Sequence, residues 1–393
     1  MLDLMKLARQ MQGISAHLSQ EAEAARSRVK LAQTLWQQAQ PRQAELTRAA
    51  EVWGDRIPFT AAVPIEPLDQ RSAIAFAPAA HTVIATDGSQ ISPNHHEIAY
   101  CYLLNVGRVV LHYGQSRHPR LDSLPEVVYR PEDLYVSRQW GIRTEEWMGY
   151  RRTVAEAEAL AELGQEVAAT TAAQTLALTD GSLISWFLDD LPKEARDRIL
   201  QPVLAAWDQL RAAAVPLVGY ISASRSGEML NFLRLQSCPF AEPDCLTQCP
   251  GHTETAPCQT FAPLRDVALW ATLLEPGQRS PFFRSTAPIL SLYGDHTIHL
   301  CYLHVGAEVA RIEMPQWVVA DAALRDAALG MVLTQVQKGY GYPVALAEAH
   351  NQAVVRGGDR TRFFALLERE MIRAGLQNVG TSYKEARKRG SIA

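Results

Sequence analysis

The chain has 393 residues, 47 % of them hydrophobic and 20 % charged, enough for one large domain with an insertion or for two domains. No apolar run approaches the roughly 20 residues that crossing a bilayer requires, and Met1 to Lys6 show no basic leader before an apolar segment, so a mature, cytoplasmic protein with no membrane contact is expected. The formal net charge of -4 argues against a protein that coats nucleic acid, but leaves room for phosphate binding by locally grouped Lys and Arg.

Residues 1–52 are rich in Ala, Gln, Leu, Glu and Arg and hold only Gly13 and Pro41 as breakers. Leu4, Leu7, Met11, Ile14 and Leu18 recur at helical spacing, and Leu31 and Leu35 are one turn apart, as Val29 and Trp36 are two. One or two long helices are expected, either projecting onto a partner or lying on their own domain. Residues 53–80, with four prolines, read as a connector. An apolar strand, His81 to Thr86, runs into Asp87-Gly88-Ser89. Ile98 to Tyr113, interrupted by Asn105-Val106-Gly107, reads as a hairpin around an Asn/Gly turn.

Residues 114–145 mix Arg, His and Pro and predict loops with a short helix, and residues 146–174 predict a helix. A second strand, Thr175 to Thr179, runs into Asp180-Gly181-Ser182. A helix over Pro192 to Ala214 is expected to break or kink at Pro202. Pro216 to Ser222 has the apolar run of a buried strand. Little regular structure is expected at 238–258. Strands return at 298–313, followed by a helix over about 320–338 that stops at Gly339 and another that opens at Pro343. Strands alternating with helices indicate an α/β fold with a mixed sheet.

The two Asp-Gly-Ser segments carry the chemistry. Each sets a carboxylate at the end of an apolar strand, where open α/β sheets bind ligands, with a Gly that permits a sharp turn. Two such carboxylates can share hard cations such as Mn²⁺ or Mg²⁺, the arrangement phosphodiester cleavage uses. One such turn alone is commonplace; two, each preceded by Thr and a buried-type strand, are not. A third carboxylate would complete the site, and the helix between them offers Glu156, Glu158 and Glu162. Glu156 falls in line with Leu160, Leu163 and Val167, on the apolar side, where a lone carboxylate is costly unless paired or bound to a cation. Glu158 and Glu162 face the polar side. Glu156 is the preferred ligand, with the other two left open.

Together with Tyr342-Pro343-Val344-Ala345-Leu346-Ala347-Glu348-Ala349-His350, this pattern resembles the NurA family of DNA-repair nucleases over about residues 80–360. The resemblance implies an RNase H-like fold and Mn²⁺-dependent 5′ to 3′ exonuclease and single-strand endonuclease activities. It also implies a homodimer that acts in DNA end resection and double-strand break repair with a HerA-type hexameric translocase. It assigns Asp87, Asp180 and, less firmly placed by spacing, Glu156 to the metal, and matches Tyr342 and His350 to the family's C-terminal Tyr and His. From the residues alone, His350 reads first as a satisfied core histidine, and Tyr342 equally as a packing residue. The organisation expected is an N-terminal helical extension (1–52), a nuclease domain (53–375) carrying a Cys-rich insertion at about 236–262, and a basic tail (376–393). The extension and the insertion have no counterpart in the family pattern.

Four of the six cysteines, Cys238, Cys245, Cys249 and Cys258, crowd into the insertion, with His252 among them. They fit a structural Zn²⁺, but also reduced thiols, an iron–sulfur cluster or disulfides. Cys101 and Cys301 read as small core residues. Arg117, His118, Arg120, Arg130, Arg138, Arg143, Arg151 and Arg152, interleaved with Trp140 and Trp147, suggest either a groove that tracks a DNA strand or an ordinary charged surface. Arg225, after the 216–222 strand, is a further phosphate candidate. Two rival functions remain open: a non-catalytic DNA-binding scaffold on the same fold, and an RNase H-like nuclease acting on RNA.

Overall fold

The computed structural model describes residues 3–94, 99–251 and 255–375; His252 and the basic tail at 376–393 lie outside the described residues. The chain divides into two compact units. One, the aspartate unit, comprises Ala75–Gly219 with the chain from Trp317 onward; the other, the cysteine unit, comprises Met1–Ile74 with Tyr220–Gln316.

The aspartate unit is built on five strands, β1 (His81–Ile91), β2 (Tyr102–Tyr113), β3 (Arg120–Val128), β4 (Gln174–Asp180) and β5 (Leu217–Ile221), along the last of which the chain leaves the unit. Their order is β5-β4-β1-β2-β3. β1–β2 and β2–β3 are antiparallel, whereas β1 and β4 run parallel. The helices are α1 (Thr144–Thr170), α2 (Lys193–Ala212), α3 (Ala322–Lys338), α4 (Val344–Ala353) and α5 (Gly357–Arg373). The result is a mixed sheet flanked by helices, the α/β architecture expected from the alternating strands and helices. β1 and β4 bury Val83, Ile84, Ala85, Leu176, Ala177 and Leu178 completely, and α1, which packs on them, buries Leu160 and Leu163.

Three expectations are corrected here. Asn105-Val106-Gly107 is not a turn: β2 runs through it without a break, and the hairpin is formed by β1 and β2 instead. The signal was misread because these residues receive a helix. A Cβ on Gly107 would come within 2.4 Å of the Ala349 carbonyl, and the Asn105 amide donates to the Ala353 carbonyl at 2.7 Å. Second, residues 120–128 form a strand rather than a loop. It pairs with β2 and is mostly exposed, which is why it shows no apolar pattern and tolerates Pro125. Third, α2 is not broken at Pro202, which leaves only the kink of the two outcomes expected there; Ile199, Val203, Ala206, Trp207 and Leu210 are all buried and anchor both halves. Gly339 does cap α3, and α4 begins after Pro343.

In the cysteine unit, strands Ala62–Pro64, Phe283–Ser285, Ile298–His304 and Val309–Pro315 pair antiparallel in that order. Helices Ile14–Ala39, Gln43–Val52, Glu228–Ser237 and Asp266–Leu273 pack with them around a core that includes Trp36, Trp270, Phe283 and Tyr302. Trp36 and Trp270 meet edge to face with centroids 5.0 Å apart. The N-terminal helices thus lie on their own unit from Ala32 onward, while Leu4, Met11, Ile14 and Leu18 stay exposed. Beneath the core, Asp266 accepts the backbone N–H groups of Met229 and Leu230 and the Tyr302 hydroxyl, so the start of the 228–237 helix is satisfied by a buried side chain. No helix among the described residues is long and apolar enough to cross a membrane.

Candidate active site

β1 does not end at Asp87. It continues through Gly88 and Ser89 to Ile91, still paired with β2 in the register Asp87 to Gly107, Gly88 to Val106 and Ser89 to Asn105. Asp87 is therefore a mid-strand residue, one strand over from the last residue of β4, Asp180. The expected turn is found only at the second motif. There Gly181 has φ +107°, and the Ser182 hydroxyl accepts the Ile184 N–H at 3.0 Å.

Gly88 has another use. A Cβ there would lie 2.3 Å from Glu156 Oε1 and 2.7 Å from Arg152 Cγ. Its absence lets α1 settle on β1, where the Thr86 hydroxyl donates to the Glu156 carbonyl at 3.0 Å. Glu156 is thereby delivered to the two aspartates, while Glu158 and Glu162 face solvent. On the remaining side, α4 docks across β1 and β2. The Ser89 hydroxyl and the Asn105 amide both donate to the Ala353 carbonyl at its C-terminal end. This sets His350 Nδ1 2.9 Å from Asp87 Oδ2. The Tyr342 hydroxyl, just before α4, donates to Asp180. All five residues singled out from the sequence, Asp87, Glu156, Asp180, Tyr342 and His350, thus converge. His350 is two-thirds exposed and so is not a core histidine.

Asp87, Glu156 and Asp180 line a cleft of about 490 Å³. Burial pushes the Glu156 carboxyl up to about 7; Arg152 opposes the rise, and Asp87 and Asp180 add to it. Burial likewise raises Asp180, against the Tyr342 hydrogen bond, with Asp87 again adding to the rise. Glu156 and Asp180 are thus both held toward their neutral forms beside Asp87. Among the described residues, no three His, Cys, Asp or Glu side chains are drawn round one point as a bound ion would draw them. The carboxylates turn instead to protein partners: Asp87 Oδ1 accepts the Gly88 N–H, Oδ2 meets His350, and Glu156 Oε1 lies 3.1 Å from Arg152 Nε. That last contact is an ion pair at an angle too poor for a hydrogen bond, so Glu156 Oε1 is buried without a hydrogen-bond partner. An all-oxygen donor set with an orphaned carboxylate oxygen fits a hard divalent cation.

Residues 81–355 of the chain match the NurA domain. The chain belongs to the NurA domain family. Among solved structures it is similar to the NurA nuclease from Sulfolobus solfataricus, at 12 % identity and TM-score 0.51 over 95 % of this chain and 98 % of that one. It is also matched to a NurA bound to dAMP and manganese, at 11 % identity and TM-score 0.34 over 83 % and 95 % of the two chains. No curated protein sequence matches it.

The basic residues of this NurA chain separate into different roles. Arg152 is tied to Glu156 and to Gln90, Arg108 and Arg120 to Asp122, and Arg117 to Thr170. Arg143 is exposed at the start of α1, and Arg151 lines a separate cavity with Tyr102, Trp147 and Arg198. Arg225 is exposed and belongs to the cysteine unit. Trp147 is buried against Trp140 and Tyr150, so it offers no face for a base. The aromatics at the cleft are others. Trp186 and Phe187 line it and are each more than a third exposed, with Phe187 stacked on Tyr150 at 4.8 Å. Sequence reasoning passed over them. Their signal was an aromatic pair a few residues past the Asp180 turn, in a segment too short to show a period.

Cys238, Cys245, Cys249 and Cys258 are free thiols that lie near one another in the cysteine unit. Burial, then the neighbouring thiols of Cys258 and Cys249, push the Cys245 thiol up to about 11. Cys101 and Cys301 are buried, as expected of small core residues.

Proposed function

We propose that this chain is a divalent-metal-dependent deoxyribonuclease in which Asp87, Glu156 and Asp180 hold Mn²⁺ or Mg²⁺. The observation that carries the reading is the convergence of three carboxylates, from β1, α1 and β4, on one cleft beside Tyr342 and His350. Bound ions would supply an activated water and charge neutralisation for phosphodiester hydrolysis.

The protein's own groups do the rest. Asp87 orients His350 through Nδ1, which leaves the other ring nitrogen to exchange a proton with a phosphate oxygen. Tyr342 holds the Asp180 carboxylate in one direction. Arg152 keeps Glu156 in the cleft until a cation takes its place. Trp186 and Phe187 offer flat faces on which the bases of a single strand can stack, and Arg143 and Arg151 supply backbone contacts. In the same reading the enzyme is a 5′ to 3′ exonuclease and single-strand endonuclease. It would act as a homodimer with a HerA-type translocase in DNA end resection; the family resemblance supports these last features.

The test is digestion of 5′-labelled single- and double-stranded DNA, with RNA as competitor, in Mn²⁺, Mg²⁺ or EDTA, beside Asp87→Ala. Cleavage of DNA that needs the ion and is lost in the variant is expected. Full activity of the variant rejects the centre, preferential cleavage of RNA rejects the substrate, and DNA binding without any cleavage by the wild type identifies a scaffold.

A further inference from the structure

The Cys-rich insertion plays no part in the site above, and its structure asks for a fastener. Among the described residues between the helix Glu228–Ser237 and the helix Asp266–Leu273, the only helix is the four-residue Cys245–Gln248. A long irregular stretch of this kind gains order when distant points along it are joined. Cys238, Cys245, Cys249 and Cys258 line a single cavity of about 10 Å³, whose other walls include Phe240, Pro257, Asp244 and Gln248. A space of that size takes one water or one ion; it does not take an iron–sulfur cube. Cys245 and Cys258 are buried, Cys238 and Cys249 half-buried, and none is oxidised to a disulfide.

The Arg234 guanidinium, itself buried, sets a positive charge beside the cluster and donates to Cys258 Sγ at 3.6 Å. Among the described residues, the carboxylate at the cavity, Asp244, is already committed: it pairs with Arg56 at 2.7 Å and accepts the hydroxyl of Thr247.

We propose that Cys238, Cys245, Cys249 and Cys258 together bind one structural Zn²⁺. The four sulfurs line one cavity without yet being drawn round a single point; drawn together on an ion, four thiolates would complete a tetrahedral shell with no open position, as in structural rather than catalytic zinc sites. Binding would expel the thiol protons and offset the burial that disfavours charging Cys238 and Cys245 on their own. The ion joins the end of the 228–237 helix (Cys238) to the short helix (Cys245, Cys249) and to the return of the chain at Cys258, where the Ser237 hydroxyl already donates to the Cys258 carbonyl at 3.3 Å. Arg56 then carries that fastened segment on to the N-terminal helices through Asp244. The site stands apart from the carboxylate cleft in ligand chemistry, and its test does not depend on nuclease activity.

Elemental analysis of the full chain, purified without chelator, is expected to give one zinc per chain. Cys245→Ser and Cys249→Ser are expected to lose it, while Asp87→Asn with Asp180→Asn keeps it. Should the serine variants fail to fold, the wild type still decides. Its four insertion thiols are expected to resist a thiol reagent until a zinc chelator is added, and refolding with Co²⁺ is expected to produce the absorption of a sulfur-coordinated tetrahedral ion. Protein free of metal with readily labelled thiols, iron with sulfide, or zinc that survives in the folded serine variants overturns the proposal.

Discussion

The two Asp-Gly-Ser segments are identical in sequence and different in structure. Asp180-Gly181-Ser182 is the turn its residues suggest: the strand stops at Asp180, Gly181 adopts a positive φ, and Ser182 closes the bend. Asp87-Gly88-Ser89 stays extended inside an 11-residue strand. Its Gly is needed for space and its Ser for holding α4, not for bending the chain. The same three residues thus supply one carboxylate by ending a strand and another by letting two helices close on a strand that continues. Tripeptide chemistry sets what the residues can do, and the neighbouring helices decide which of those uses is realised.

That contrast can be broken at several points. The largest effect is expected from the carboxylates themselves. Asp87→Ala and Asp180→Ala should each lower cleavage by roughly 10³-fold, since several kcal/mol of charge stabilisation go with the ion; single-turnover digestion of labelled DNA checks this. Equal losses would show that the mid-strand and the strand-end carboxylate are equivalent in use. His350→Ala removes the group that orients Asp87, so a drop of about 10- to 100-fold is expected, with weaker Mn²⁺ affinity measured by calorimetry.

The glycines separate the two motifs. Gly88→Ala displaces Glu156 and Arg152, both flexible side chains. It should cost roughly 10-fold or more in activity and leave the melting temperature within a few degrees. Gly181→Ala meets no neighbour but is strained at its φ, so about 1–3 kcal/mol of stability should be lost, read by denaturant unfolding. If Gly88→Ala proves the less stable of the two, the close-approach argument fails.

Glu156 adds a pH dependence. Its folded pKa, about 7, lies above the unfolded value of 4.5, so its contribution favours folding below about pH 4.5 and is lost as pH rises through 7. In EDTA the protein should therefore lose stability across that window, by up to about 3 kcal/mol from this group. Glu156→Gln should flatten the profile. Mn²⁺ should restore stability most at the alkaline end, and thermal melts at a series of pH values measure all three. The smallest effects belong to the two carboxylates on the outer face of α1. Glu158→Ala and Glu162→Ala should change stability by no more than about 0.5 kcal/mol and leave cleavage untouched; a marked loss in either would reassign the third ligand.

Much of the site was legible in advance. Glu156 could be told from Glu158 and Glu162 because helical spacing alone puts it on the stripe of Leu160, Leu163 and Val167, all buried in the structure. Asp87 and Asp180 announced themselves at the ends of apolar runs. Trp186 and Phe187 did not, because a pair of aromatics carries no period and its exposure depends on what packs beside it. The Asn105-Val106-Gly107 segment was misread for a related reason: Asn and Gly favour turns locally, yet here they make room for α4 and hold its end.

The sequence by itself determined the carboxylates, the helix face that carries the third of them, the Tyr342 to His350 element and the family to which they belong. These are local patterns, set by side-chain periodicity and by which residue types can do the chemistry. Only the tertiary structure decided that one Asp-Gly-Ser is a strand and the other a turn, that His350 meets Asp87 rather than the core, and that the four cysteines of the insertion face one small cavity. Each of these depends on contacts between residues far apart along the chain, where close packing between elements overrides what a few neighbouring residues prefer.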